Sequence, residues 1–359
     1  MSGKKDCVSL YSRRELGRLA LAAVPAVGLM TRPASLLGQA KPNSTWGGVP
    51  FGIFAPYRFG PEATDLEGAL KALVRLGVSN TELTAGVIEN YLGAPQAAAG
   101  GRGGGAQAAA GRGANAAPAT SPAPGAIACV NGVPGTPPAP GGGAATKTPD
   151  EILAWRTSVP MSRFAEVRKK FNDAGVQIYA FRATLNLVQS DGEYEYWFNA
   201  AKAVGASQIT MELPGDPAVS KRIGEAAAKH GVNVGYHLHT LANMTAWDAA
   251  MAQSPRNGIQ LDIGHYVAGT GVSPVPFIEK HHARIFSMHL KDRKKVCHDG
   301  SENMPWGQGD TPIRDVLQTL KNNKWAIPAG VEFEYLVPEG STWEAELAKC
   351  VKYAKDALA

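Results

Sequence analysis

Cysteine is scarce in this 359-residue chain: Cys7, Cys129, Cys297 and Cys350 are the four, and none has a C-x-x-C partner. A zinc ribbon and a thioredoxin-type redox motif are thereby excluded. If Cys7 leaves with an N-terminal leader, the remaining number is odd, which speaks against a disulfide framework. Long apolar runs are missing too. The longest candidate is about a dozen residues, and a hydrocarbon core needs roughly 20. The charge excess is small at +5, with much of it in the N-terminal segment and one loop, so no nucleic-acid partner is expected. No glycine-rich phosphate loop follows the first apolar run, which counts against an open dinucleotide-binding sheet. What remains is ordinary globular material, 44% hydrophobic and 19% charged. It is long enough for a barrel domain, which commonly takes about 250 residues.

The first forty residues read as an address. SRRELGR (12–18) precedes the short apolar run LALAAVPAVGLM (19–30), and small residues follow. A charged start, a short apolar stretch and a small-residue end are the marks of a cleaved export signal. Arg13-Arg14 between Ser12 and Leu16-Gly17 resembles the twin-arginine signal, which carries folded proteins across the bacterial membrane. Cleavage near Gly38-Gln39-Ala40, a periplasmic destination and no stable membrane anchor are the expectations.

From residue 49 onward, apolar runs alternate with amphipathic segments, the rhythm of β/α units. Strands are predicted over 49–55, 78–86, 176–184, 207–215, 232–240, 257–265, 284–292 and 327–335, with helices between them. Parallel strands need crossover connections, and eight such units close most simply into a (β/α)8 TIM barrel spanning 49–355. Residues 93–148 break the rhythm. They are dominated by Ala, Gly and Pro, bury too little apolar surface to offset their ordering entropy, and read as a disordered insertion.

Barrels carry their chemistry at the C-terminal ends of their strands. Glu212, His237, Asp262 and His289 each fall near a predicted strand end at about one β/α spacing, and Glu332 follows after a longer loop. Side chains two apart on a strand face the same way, so His239 can join His237, and Glu334 can join Glu332. A lone strand-end histidine is more often a structural group than a ligand. The coincidence of several at one-unit spacing is what points to a site. Imidazole and carboxylate together suit Mn²⁺, Zn²⁺, Co²⁺ or Fe²⁺ better than Ca²⁺. His281-His282 and His230 read as helix-end residues without a role in chemistry.

GYHLHT (235–240), LDIGHYVAG (261–269), MHLKDR (288–293), WGQGDTPI (306–313) and VEFEY (331–335) carry a resemblance. Their order is similar to that in the xylose-isomerase-like TIM-barrel superfamily, and most similar to its sugar phosphate isomerase/epimerase branch. That branch includes inosose dehydratases and ketose 3-epimerases. The resemblance implies one divalent metal ion, with Mn, Zn or Co expected, held by His237, Asp262, His289 and Glu332. Many relatives place a glutamate where this chain has H-x-H, so His237, His239 and Glu212 compete as the first ligand. It also implies proton transfer at a small carbohydrate through an enediolate. Glu332 would work on one face and Glu212 or His239 on the other, with His265, Lys291 and Trp306 touching substrate. The implied outcome is isomerisation or epimerisation. Loss of a leaving group would give dehydration instead, and a non-catalytic carbohydrate-binding barrel is the rival class. Apurinic endonucleases share the layout but need further histidines, and SENMPWGQGD offers none. Related barrels often associate, which leaves a homo-oligomer open.

Overall fold

VPFGIFA has no polar residue to turn toward water, and it forms a strand buried along nearly its whole length, as a strand flanked on both faces must be. In the computed structural model, which describes residues 41–95, 147–240, 242–295 and 302–359, this strand is β1 (Val49–Ala55). The expected export signal, nearly all of the Ala/Gly/Pro-rich stretch, and Cys7, Cys129 and Cys297 lie outside the described residues. Residues 41–359 form one compact unit. After β1 come β2 (Asn80–Thr84), β3 (Gln177–Arg182), β4 (Gln208–Glu212), β5 (Asn233–His237), β6 (Asn257–Asp262), β7 (Ile285–Leu290) and β8 (Ala329–Val331). Each pairs in parallel with the next, and β8 pairs back onto β1 through Ala329↔Phe51, Gly330↔Gly52 and Val331↔Ile53. The ring is closed: a (β/α)8 barrel, as the alternation of the sequence predicts. Among the described residues, no helix is long and apolar enough to cross a membrane.

The surrounding helices are α1 (Leu66–Arg75), α2 (Ala85–Tyr91), α3 (Asp150–Ser158), α4 (Met161–Asp173), α5 (Asp191–Ala203), α6 (Pro217–His230), α7 (Asp248–Gln253), α8 (Ile263–Thr270), α9 (Val275–His281), α10 (Ile313–Asn322) and α11 (Trp343–Leu358). Their starts are written locally. Asp65 accepts the Gly68 amide at 2.7 Å, and Ser190 with Glu193 forms a reciprocal capping box. In α10, Ile313, Val316, Leu317 and Leu320 make one buried stripe at helical spacing. The periodicity misses α8. Every residue of α8 is buried, so IGHYVAGT shows no polar face and reads as the tail of a strand.

Tyr179 fills the lower interior of the barrel. It is the extra residue of an irregularity in β3, where the register with β2 shifts between Ile178 and Ala180. The space for its ring comes from two paired glycines, Gly52 on β1 and Gly330 on β8. A Cβ at Gly52 would stand 3.0 Å from Tyr179 Cε1, and one at Gly330 would stand 2.6 Å from the Tyr179 hydroxyl. That hydroxyl is buried without a hydrogen-bond partner. Overpacking here predicts that Gly330→Ala loses about 1–3 kcal/mol of unfolding free energy in urea titrations. Tyr179→Phe alone should be neutral or stabilising, because it removes an unsatisfied group. In its background most of the Gly330→Ala cost should disappear, and an undiminished cost would place the strain elsewhere.

Candidate active site

Inward-facing residues two apart on neighbouring strands stack in storeys at the C-terminal mouth. Gln260 lies below Asp262 on β6, and His289 lies below Lys291 at the end of β7. Gly330 lies below Glu332 just beyond β8. The lower storey is a clamp around one imidazole. His289 Nε2 lies 2.8 Å from Glu82 Oε2, and its Nδ1 lies 2.9 Å from Glu332 Oε2. Glu82 is fully buried on β2, where Thr210 and Gln260 each donate to it at 2.6 Å. Burial alone would lower the His289 pKa, but the Glu332 and Glu82 carboxylates outweigh it and push it up to about 10. His289 is therefore an imidazolium donating from both nitrogens. Its ring stacks on Phe54 at 5.4 Å.

The upper storey begins at the β6–α8 junction. Asp262 ends the strand and caps the helix, its Oδ1 accepting the His265 amide at 2.6 Å. This switch from strand to helix swings His265 into the site and leaves Asp262 Oδ2 facing inward. His237, Asp262, His265 and Glu332 are all buried, and each offers a ligand atom within 4.8 Å of the others. His239 makes a second such group with His237 and His265. Burial, outweighing the pull of Glu332, holds the His237 pKa well below the ordinary imidazole value. Burial does the same for His265, helped by Lys291. Both rings are thus neutral, the form that binds metal. His237 Nδ1 and Asp262 Oδ2 are buried without a well-formed hydrogen bond. Two neutral imidazoles and two carboxylates drawn together, with His237 Nδ1 and Asp262 Oδ2 unsatisfied among them, fit a divalent cation of the Mn, Zn or Co kind.

A second cation stands in the same place. The Lys291 ammonium lies 2.6 Å from Glu334 Oε2, 2.7 Å from Glu332 Oε2, 3.1 Å from His265 Nε2 and 3.2 Å from Asp262 Oδ2. Burial raises the Asp262 carboxyl to about 7 even with Lys291 beside it. Glu332 goes the other way. Burial would raise it, but Lys291 and His289 hold it well below the usual carboxylate range.

The rim carries a different set. Arg182, at the end of β3, donates to Glu212 Oε1 at 2.5 Å and to Gln260 Oε1 at 3.2 Å, with its guanidinium over the Phe54 ring. Glu212 and His239 are the exposed pair, 3.6 Å apart. Tyr57 donates to Glu334 Oε1 at 2.8 Å. Trp306 meets Tyr353 of α11 edge to face, 5.6 Å between centroids. Its loop is tied down by Asp292, whose carboxylate accepts the Gly307, Gly309 and Thr311 amides at 2.7, 2.9 and 3.1 Å.

The profile of a family described as xylose isomerase-like TIM barrel matches residues 145–353. The chain belongs to that family. Among solved structures, a xylose isomerase domain protein from Planctomyces limnophilus is 14% identical with a TM-score of 0.53, over 88% of this chain and 98% of that one. A putative uncharacterized protein from Parabacteroides distasonis is 17% identical with a TM-score of 0.51, over 86% of this chain and 99% of that one. An L-ribulose 3-epimerase is 12% identical with a TM-score of 0.50, over 86% and 95%. At such identities the likeness is one of fold. No curated protein matches the chain.

For this xylose isomerase-like barrel, the structure brings Asp262, His237 and Glu332 together as expected neighbours, with His265 as the fourth converging donor. His289 lies directly beneath them. For His289 to join as a ligand, one of its nitrogens must leave a carboxylate. Glu212 sits at the rim, away from the buried donors. Sequence reading missed Glu82, Arg182 and Gln260. A signal existed for the first: a carboxylate in the middle of NTELT, a strand with every other polar group short.

The clamp generates a prediction for the metal-free protein. Ring-nitrogen NMR shifts should report His289 as imidazolium until about pH 10, and Glu82→Gln should move that titration downward. The folded value lies above the ordinary 6.5, so this pair stabilises the fold fully below about 6.5. That contribution is lost as pH rises through about 10. A neutral His289 at pH 7.5 would contradict the assignment.

Proposed function

We propose that this barrel is a divalent-metal-dependent isomerase or epimerase of a sugar or keto-sugar, working by proton transfer through an enediolate. The observation that carries the reading is the convergence of His237, Asp262, His265 and Glu332 within 4.8 Å in the mouth of a xylose isomerase-like barrel. A bound divalent ion supplies Lewis-acid polarisation to neighbouring substrate oxygens. The chain's own residues do the rest. Glu332 is ionised at neutral pH and takes or returns the proton of the carbon beside the carbonyl. Glu212 and His239 stand at the rim for the opposite face of the sugar, and Arg182 holds the Glu212 carboxylate in place. His265 and Lys291 are within reach of substrate hydroxyls. The solved L-ribulose 3-epimerase of similar fold is consistent with a ketose substrate.

The pairing of Arg182 and Lys291 with carboxylates agrees with an uncharged carbohydrate. Arg182 is answered by Glu212, and Lys291 by three carboxylates, so neither cation is left over for a phosphate. Export by the twin-arginine-like segment agrees with a free sugar as substrate. The reading places the mature protein in the periplasm, and Arg13→Lys with Arg14→Lys should leave it in the cytoplasm.

The test is deuterium exchange. Purified protein loaded with Mn²⁺, Zn²⁺ or Co²⁺ should wash the α-proton of an accepted ketose into D₂O. Glu332→Gln should reduce that exchange by about 10²–10⁴-fold, the usual contribution of a positioned base. Ketose binding without exchange, across a broad panel, would favour a binding barrel. Release of water from the sugar would make the outcome a dehydration.

A further inference from the structure

We infer that Lys291 is a resident counter-cation of the metal site, competing with the metal for Asp262, Glu332 and His265 and moving onto Glu334 when metal enters. The inference rests on the metal-site reading above and adds to it a cost of loading built into the chain. Four acceptor atoms surround the Lys291 ammonium at 2.6–3.2 Å. Three of them belong to residues of the converging donor set, Asp262, Glu332 and His265. A divalent ion at that convergence point and an ammonium held by three of the same residues repel each other, because the site is buried and little water screens them. Both cannot keep those contacts.

The fourth acceptor, Glu334, is a berth outside the set. It is fixed from its other side: Tyr57 donates to Oε1 at 2.8 Å, and Arg58 donates to the Glu334 carbonyl at 2.8 Å. The lysine stem is held as firmly. It lies flush on the first turn of α8, where a Cβ at Gly264 would stand 2.3 Å from Lys291 Cγ. Only the end of the side chain has freedom, and its one carboxylate outside the donor set is Glu334. The ammonium keeps its proton throughout, so the exchange moves one cation outward as another arrives. Without metal, Lys291 offsets the mutual repulsion of Asp262 and Glu332, two buried carboxylates that would otherwise be costly side by side.

The test titrates Mn²⁺ alone into the chelator-treated full chain, by calorimetry and by loss of the free-ion EPR signal. Lys291→Met should bind Mn²⁺ about tenfold or more tightly than the parent, since a like charge has left the site. Its metal-free melting temperature should fall, and its rise on metal addition should be larger. Glu334→Gln should weaken Mn²⁺ binding in the parent by removing the berth, and should change little in the Lys291→Met background. If the methionine variant does not fold cooperatively, Lys291→Gln keeps a donor toward Glu332 without the charge and takes its place. Equal or weaker Mn²⁺ binding by the lysine variants overturns the inference and leaves the metal site standing. A Glu334→Gln loss of the same size in both backgrounds also overturns it, by making Glu334 a ligand. No metal bound by any variant sinks the metal reading itself.

Discussion

Carboxylates buried inside a barrel cannot remain ionised without cations among them, and this constraint organises the whole mouth of the protein. Taking an ion out of water costs several kcal/mol even after relaxation, and a partner must offset it with good geometry. Glu82 and Glu332 are offset by the His289 imidazolium between them, while Asp262 and Glu334 share Lys291 with Glu332. The two cations are consecutive inward residues of one strand end, so a single segment, HLK, neutralises both storeys. Thr210, Gln260 and Arg182 then use up the remaining hydrogen-bonding capacity of Glu82 and its neighbours.

The same charge arrangement sets the chemistry. His289 is held charged while His237 and His265 are held neutral, although all three are buried imidazoles within one cluster. The difference is their neighbours: His289 has a carboxylate at each nitrogen, whereas His265 faces Lys291 and Arg293. Neutral rings can give a lone pair to a metal, and a charged ring cannot. Without metal, the structure thus holds a charged ring between Glu82 and Glu332 and neutral rings beside Asp262. That separation comes from tertiary contacts and not from any property of histidine itself.

The barrel was legible because its signal is periodic. Apolar runs for β1 and β7, capped amphipathic helices such as α5, and the regular spacing of His237, Asp262 and His289 all follow from local chemistry. What escaped was whatever depended on the far side of the barrel. His265 was expected only as a substrate contact, because α8 is apolar all round and its turn after Asp262 does not show in the pattern. Glu82 and His289 lie some two hundred residues apart in the chain, and only ring closure brings them together, whereas Arg182 meets Glu212 across the neighbouring strand pair.

By itself, then, the amino-acid order determined the alternation of elements, the end of the barrel where polar residues collect, and the residue types available there. These are matters of period, burial and capping, each decided within one β/α unit. Tertiary structure alone decided which of those residues meet, which histidine is charged, and that Lys291 stands among the converging His and carboxylate donors. Protonation and coordination depend on charges a few ångströms away, and in a closed barrel those charges come from strands far apart in sequence.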